Sequence, residues 1–204
     1  MLRDMVYTEF TAEVASKSPA PGGGSVSAAV GAFGCALLAM VCNLTLGKKK
    51  YAEVESQVSD VLARAEKLRM RFVELIDEDT DAFNRLFAFF KFKEMTEEQK
   101  REMAETERAC IEVPQTTMKT ALAALEAAAD LAPIGNKNAI SDLGVAVGCL
   151  ETAFHGAEFN VRINLANMNA EKKAPYERWL GEMDQRCRGL VDQAMTTVRE
   201  ELGL

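Results

Sequence analysis

The chain has 204 residues, a formal net charge of −7, 48% apolar side chains and 27% charged ones. That length supports one full core, and the composition is that of an ordinary globular protein. The negative balance argues against nucleic acid or an anionic membrane surface as partner. Five cysteines, Cys35, Cys42, Cys110, Cys149 and Cys187, sit mostly among apolar neighbours, with no CxxC or Cys/His spacing. The expectation is therefore no metal site and reduced, buried thiols in a cytoplasmic protein. The opening MLRDMVYTEF carries acids and no apolar core segment, so it does not read as a secretory signal.

In chain order, Phe10 to Ser16 is predicted as a short first helix with Thr8 as its cap. Next comes SPAPGGGSVSAAVGAFGCALLAMVCNLTLGKKKY, with no charged side chain between Lys17 and Lys48. A run of ~20 apolar residues followed by lysines fits a membrane anchor by length. Its richness in Gly, Ala and Ser, the polar Asn43 and Thr45 near its end and the amphipathic remainder of the chain favour a central helix packed on all sides. Pro19 and Pro21 stop any preceding helix, and Gly22, Gly23 and Gly24 permit unusual backbone angles. Ser25 is the predicted cap, and Gly47 ends the helix with Lys48, Lys49 and Lys50 at its negative end. Such a loop presents bare backbone N–H groups and could cradle an anion or ligand; the same residues also suffice for a simple turn.

Tyr51 to Phe90 reads as a long helix. Its seam, Val54, Val58, Val61, Ala65, Leu68, Phe72, Leu75, Asp79, Ala82, Leu86 and Phe89, alternates steps of four and three. Asp79 is the member that does not belong in a core; it must be paired, protonated or beside a polar cavity. A third helix, or two, covers about Thr96 to Leu131, with a kink expected at Pro114. After the break at Pro133 and Gly135, Asn136, Asn138 or Ser141 can cap a helix whose first turn holds Asp142. Asp142 starts the face continued by Val145, Ala146, Cys149 and Ala153, and a capping or dipole role for it is an equal alternative. Asn160, Asn164 and Asn167 form a polar stripe ~27 Å farther along, too far to share a small site with Asp142 in one chain. His155, the only histidine, has no sequence partner and reads as packing. A last helix is predicted from Pro175 to Leu202, with proline at its first position.

Strand signals are nearly absent. The expectation is one all-α domain over residues 1–204, a bundle of about five to seven helices that completes its core by homodimerising. Two carboxylates on the core side of helices, a glycine loop and a lysine cluster suggest an anionic substrate and acid–base chemistry. The segments SPAPGGGSVSA, NLTLGKKKY, LIDEDTDAF, GNKNAISDLGVA and GAEFNVRINL, in this order and across almost the whole chain, resemble the cyclodeaminase/cyclohydrolase family. This is the family of the cyclodeaminase domain of formiminotransferase-cyclodeaminase and of stand-alone methenyltetrahydrofolate cyclohydrolases.

The resemblance implies a multihelical dimer acting on one-carbon-substituted tetrahydrofolate, by hydrolysis of the 5,10-methenyl bridge or by cyclisation of the 5-formimino group with release of ammonia. It implies Asp142 as leading acid/base and Asp79 as second carboxylate, with Gly22 to Ser25 meeting the folate by backbone. Lys48, Lys49 and Lys50 would meet its glutamate or polyglutamate carboxylates, and Asn136 and Asn138 would hydrogen-bond the ligand or order the loop. Neither reaction demands a metal or redox cofactor. The segment NRLFAFFKFKEMTEEQ is more aromatic than the family's pattern and is expected at the lip of the pocket. The 204 residues include no formiminotransferase segment, which inclines the expectation toward the cyclohydrolase. A non-catalytic helical binding module is the competing class.

Overall fold

A computed structural model describes residues 1–204 and contains six α-helices and no strand. They are α1 (Tyr7–Val14), α2 (Gly23–Thr45), α3 (Glu55–Phe87), α4 (Glu97–Leu131), α5 (Ile140–Asn164) and α6 (Ala170–Leu202). The uncharged α2 packs against α3 on one side and α5 on the other; α4 lies beneath, and α6 flanks α4 and α5. One cluster of 38 buried residues links all the long helices.

Small residues let these helices approach. Phe72 of α3 is fully buried over Gly31, where a Cβ would overlap its ring. Burying such a side chain contributes about 2–3 kcal/mol. Gly34 meets Leu150 across the α2–α5 contact, and Gly156 leaves room for Ser27. The α3 seam appears as read. Val58, Val61, Ala65, Phe72, Leu75, Ala82 and Phe89 are buried, Phe89 in a short 3-10 turn that extends the helix, while Val54, Leu68, Asp79 and Leu86 are partly so.

Several boundaries differ from the sequence reading. α1 starts at Tyr7 behind Val6, and Thr8 caps nothing. α2 starts after Gly22, so Ser25 lies inside its first turn. Lys49–Val54 forms a 3-10 turn before α3. α4 is one continuous helix through Pro114, started by a reciprocal capping pair between Thr96 and Gln99. Asn136 caps a 3-10 turn at Lys137–Ala139, and α5 follows with no side-chain cap. α6 begins five residues before Pro175, capped by Asn169, whose side chain accepts from Lys172 N–H.

α2 is not packed on all sides. It is apolar and long enough to cross a membrane, with a mean hydropathy of 2.0 over its most apolar window, yet 56% of that window is buried inside the bundle. The remainder is a stripe, Val26, Val30, Phe33, Leu37, Met40 and Leu44, none of which is buried.

Candidate active site

The N-terminus of α2, the C-terminal half of α3, the N-terminal half of α4 and the end of α5 enclose a chamber of about 710 Å³. The glycine loop (Gly22 to Gly24) and Asp79 lie in its wall, with Glu107, Asn160, Asn164 and Asn167 as further polar residues. Phe83, Leu86 and Phe90 line the side nearest the aromatic segment, and Phe83 stacks on Phe87 with ring centroids 5.8 Å apart.

Asp79 is held by the start of α2. Its Oδ2 lies 3.0 Å from the Ser25 hydroxyl, and the carboxylate also accepts from the Ser25 backbone N–H. Gly24 is buried against it, and a Cβ there would occupy the carboxylate's place. Thus the anion at this helix N-terminus is supplied by the protein itself. Burial nevertheless raises the Asp79 pKa above the ordinary 3.8, outweighing the two hydrogen bonds that lower it.

Ser25 is fully buried, and its hydroxyl also reaches the Ile76 carbonyl at 2.9 Å and the Thr80 hydroxyl at 2.9 Å. Its proton can turn to Asp79 when the carboxylate is ionised and to Ile76 when Asp79 is protonated. The site therefore accommodates both protonation states without rearrangement.

Pro114 sets the opposite wall. Lacking an N–H, it leaves the Cys110 carbonyl, four residues earlier, without its helical partner. Asn164 of α5 donates its amide to that carbonyl at 2.7 Å and to Asn160 O at 2.9 Å. Asn160 donates in turn to Gly156 O at 2.8 Å. A proline read as a kink instead ties α4 to α5 beside the chamber.

Of the residues singled out from sequence, Asp79, Gly22, Gly23, Gly24 and Ser25 come together here. Asp142, Lys48, Lys49, Lys50, Asn136 and Asn138 lie at the other end of α2, ~33 Å away along a 23-residue helix. There Asn136 is buried and works as a clasp. Its Nδ2 donates to Leu44 O at 2.8 Å, its N–H donates to Thr45 Oγ1 at 2.9 Å, and its Oδ1 accepts from Asn138 N–H at 3.1 Å. Tyr51 closes the group by accepting from Lys137 N–H at 3.2 Å. The three lysines are exposed, and Asp142 is partly buried in the first turn of α5.

His155 does have a partner: its Nδ1 lies 3.1 Å from Glu158 Oε2. With Asp184 these residues bring ligand-type atoms within 4.8 Å of one another. Arg162 holds Glu158 and Arg188 holds Asp184, so both carboxylates are already neutralised by guanidinium groups.

The sequence reading did not single out Glu107, and it did not join the asparagine stripe to Asp79. The stripe's i, i+4, i+7 spacing marks a helix face, but only the fold shows which helix it meets. Glu107 sits in a charge-rich stretch that resembles a solvated face.

The profile of the formiminotransferase-cyclodeaminase family matches residues 6–179. The chain belongs to this family. It is 37% identical over 189 residues to the methenyltetrahydrofolate cyclohydrolase of Methylorubrum extorquens, spanning 91% of this chain and 88% of that protein. It is 35% identical to the formimidoyltransferase-cyclodeaminase of Rattus norvegicus over 99% of this chain, but spans only 37% of that longer protein. The crystal structure of formiminotetrahydrofolate cyclodeaminase from Thermotoga maritima superimposes with a TM-score of 0.90 at 27% identity, covering 99% of this chain and 100% of that one. The protein is thus an enzyme of the cyclodeaminase/cyclohydrolase family, and the chamber around Asp79 is where this cyclodeaminase-like fold combines a raised carboxyl pKa with a cavity of ligand size.

Proposed function

We propose that the protein is a 5,10-methenyltetrahydrofolate cyclohydrolase, with Asp79 as its proton carrier. The observation that carries the reading is a largely enclosed carboxyl group, raised in pKa by burial, in the wall of a chamber large enough for a pterin. The similarity to the Methylorubrum cyclohydrolase across nearly the full length of both chains supports the choice of reaction. In this mechanism ionised Asp79 takes a proton from water as its oxygen attacks the methenyl carbon, giving a neutral tetrahedral adduct between N5 and N10. Asp79 then returns that proton to N5 as the carbon–N5 bond breaks. The adduct's hydroxyl loses its proton as the formyl carbonyl forms on N10, so one proton is released overall.

The second reading is 5-formiminotetrahydrofolate cyclodeamination, favoured by the structural likeness to the Thermotoga enzyme. There N10 attacks the carbon of the protonated formimino group, ionised Asp79 takes the N10 proton, and Asp79 returns it to the departing nitrogen, which leaves as ammonia and gives the methenyl cation. An absorbance assay at the methenyltetrahydrofolate band separates the two. Purified protein should bleach the band when given the methenyl compound. Appearance of the band from the formimino compound, with ammonia, would establish the cyclodeaminase. Spontaneous rates in both cuvettes would favour the non-catalytic module.

We further propose a homodimer joined along the α2 stripe. Val26, Val30, Phe33, Leu37, Met40 and Leu44 recur in alternating steps of four and three with no charge among them, the seam of a paired helix. Phe33 is 56% exposed, and α5 beside it exposes Val145 and Phe159. Antiparallel pairing about a two-fold axis would bring Lys48 to Lys50 and Asp142 of one copy to the Asp79 chamber of the other. The lysines would then meet a folate's glutamate tail, and Asp142 would reach the site only from the partner. Light scattering should give twice the chain mass, and Phe33→Glu should halve it. Five unpaired thiols, four of them buried, fit the proposed cytoplasmic setting.

A further inference from the structure

The chamber has an electrical character that the acid–base reading does not use. Its two charged lining residues are both carboxylates, Asp79 from α3 and Glu107 from α4, and no Lys, Arg or His is among the residues that line it. Arg85 is near enough to act on the Cys110 thiol but stays on the exposed side of α3, outside the lining. The asparagines add to this character. Asn164 spends its amide on Cys110 O and Asn160 O, and Asn160 spends its own on Gly156 O. Because each amide faces a carbonyl, its orientation is settled by its partners. Asn164 has both N–H groups spent and only its Oδ1 left for a ligand, while Asn160 keeps its Oδ1 and one N–H, so beside the two carboxylates this wall is richer in acceptors than in donors.

The two carboxylates differ in environment. Asp79 is packed on the α2 N-terminus with its pKa raised by burial, whereas Glu107 is exposed at the chamber's edge. Burial raises the Cys110 thiol pKa, and the fields of both carboxylates push it up further. Two carboxylates in unlike environments are suited to two roles. The packed one is the proton carrier proposed above, and the exposed one faces the mouth of the chamber.

We infer that Glu107 is a specificity residue that recognises the positive charge of the reacting one-carbon unit. This rests on the folate reading above. The methenyl bridge is an amidinium cation, and a formimino group is one when protonated. A neutral formyl group on the same pterin carries no such charge. An anionic chamber with acceptor walls therefore prefers the substrate over the formyl product and over neutral folates. The glutamate tail, being anionic, must leave the chamber, since no cationic side chain lines it. Glu107 acts by charge and not by proton transfer, and its exposure on α4 means that replacing it costs the fold little.

The test compares wild type, Glu107→Gln and Glu107→Asp in steady-state hydrolysis of methenyltetrahydrofolate, with neutral 5-formyltetrahydrofolate as competitive inhibitor. The expected result for Glu107→Gln is a KM raised about three- to fivefold, the order of one partly solvated charge pair. kcat should stay within about twofold and the inhibition constant of the formyl compound should not change. Glu107→Asp should recover most of the KM. An unchanged KM in Glu107→Gln would overturn the inference, as would an equal rise for the cationic and the neutral folate. If wild type neither turns over the methenyl compound nor binds the formyl compound, the folate reading itself fails and takes this inference with it.

Discussion

The two ends of α2 carry the sequence's two most ligand-like motifs, and the fold uses them differently. At the N-terminal end, PGGG leaves room for a carboxylate from another helix and seats it in the wall of a chamber. At the C-terminal end, GNKN spends its polar groups on the fold: Asn136 ties the end of α2 to the turn before α5 with two hydrogen bonds and caps that turn with a third. Both ends are polar and rich in hydrogen bonds. What distinguishes them is whether the groups are consumed by the protein or left partly free toward a cavity. A motif at a helix terminus therefore acquires a role only once its donors and acceptors have been accounted for.

The largest expected effect tests the N-terminal end. Asp79→Asn should lower turnover by about a thousandfold, within the range for loss of a general acid–base group, while the helical circular dichroism is retained. The same variant should change the pH dependence of stability. A folded-state pKa raised above the ordinary 3.8 means that the native protein binds this proton more tightly than the unfolded chain. Its contribution is therefore fully present below that pH and is lost as pH rises through the raised value. Chemical denaturation should show this downward slope above pH 3.8 in wild type, and the asparagine variant should lack it.

Gly24→Ala should be next, with turnover reduced about a hundredfold, because the new methyl takes the carboxylate's place. The accompanying destabilisation should be about 1–3 kcal/mol. If kinetics of this variant match wild type, Asp79 does not act from the position seen here.

Asn136→Ala probes the opposite end. It should cost about 2–4 kcal/mol in urea denaturation, since Leu44 O and the caps it serves lose their partner. The surviving folded enzyme should keep its kcat. A large loss of kcat without loss of stability would make the far end catalytic and would break the comparison.

The smallest effect is expected from Pro114→Ala. The restored N–H would compete with Asn164 for the Cys110 carbonyl. The helix should gain up to about 1 kcal/mol or remain unchanged, while KM rises a few fold as the asparagine wall loosens.

Helix count, the α3 seam and the anomaly of Asp79 were legible in one dimension, because a 3.6-residue period places a misplaced carboxylate on a known face. The uncharged stretch announces α2 equally well but not its exposed stripe, because composition reports that a helix is apolar, not which side is covered. Ser25 was read as a cap because serine before an apolar run usually is one. Here the helix begins earlier, and the hydroxyl turns inward to Ile76, Asp79 and Thr80. Asp142 and Asp79 looked alike as acids on apolar faces, and only the path of α2 between them puts them at opposite ends of the molecule.

The sequence by itself determined an all-helical chain, its family and the two clusters of polar residues worth asking about, since these depend on local periodicity and on residue order. The tertiary structure decided which of those residues meet. Glu107 and the Asn160–Asn167 stripe join Asp79 because α3, α4 and α5 converge at the start of α2, and proximity between side chains some 80 residues apart is a property of packing that no local pattern records.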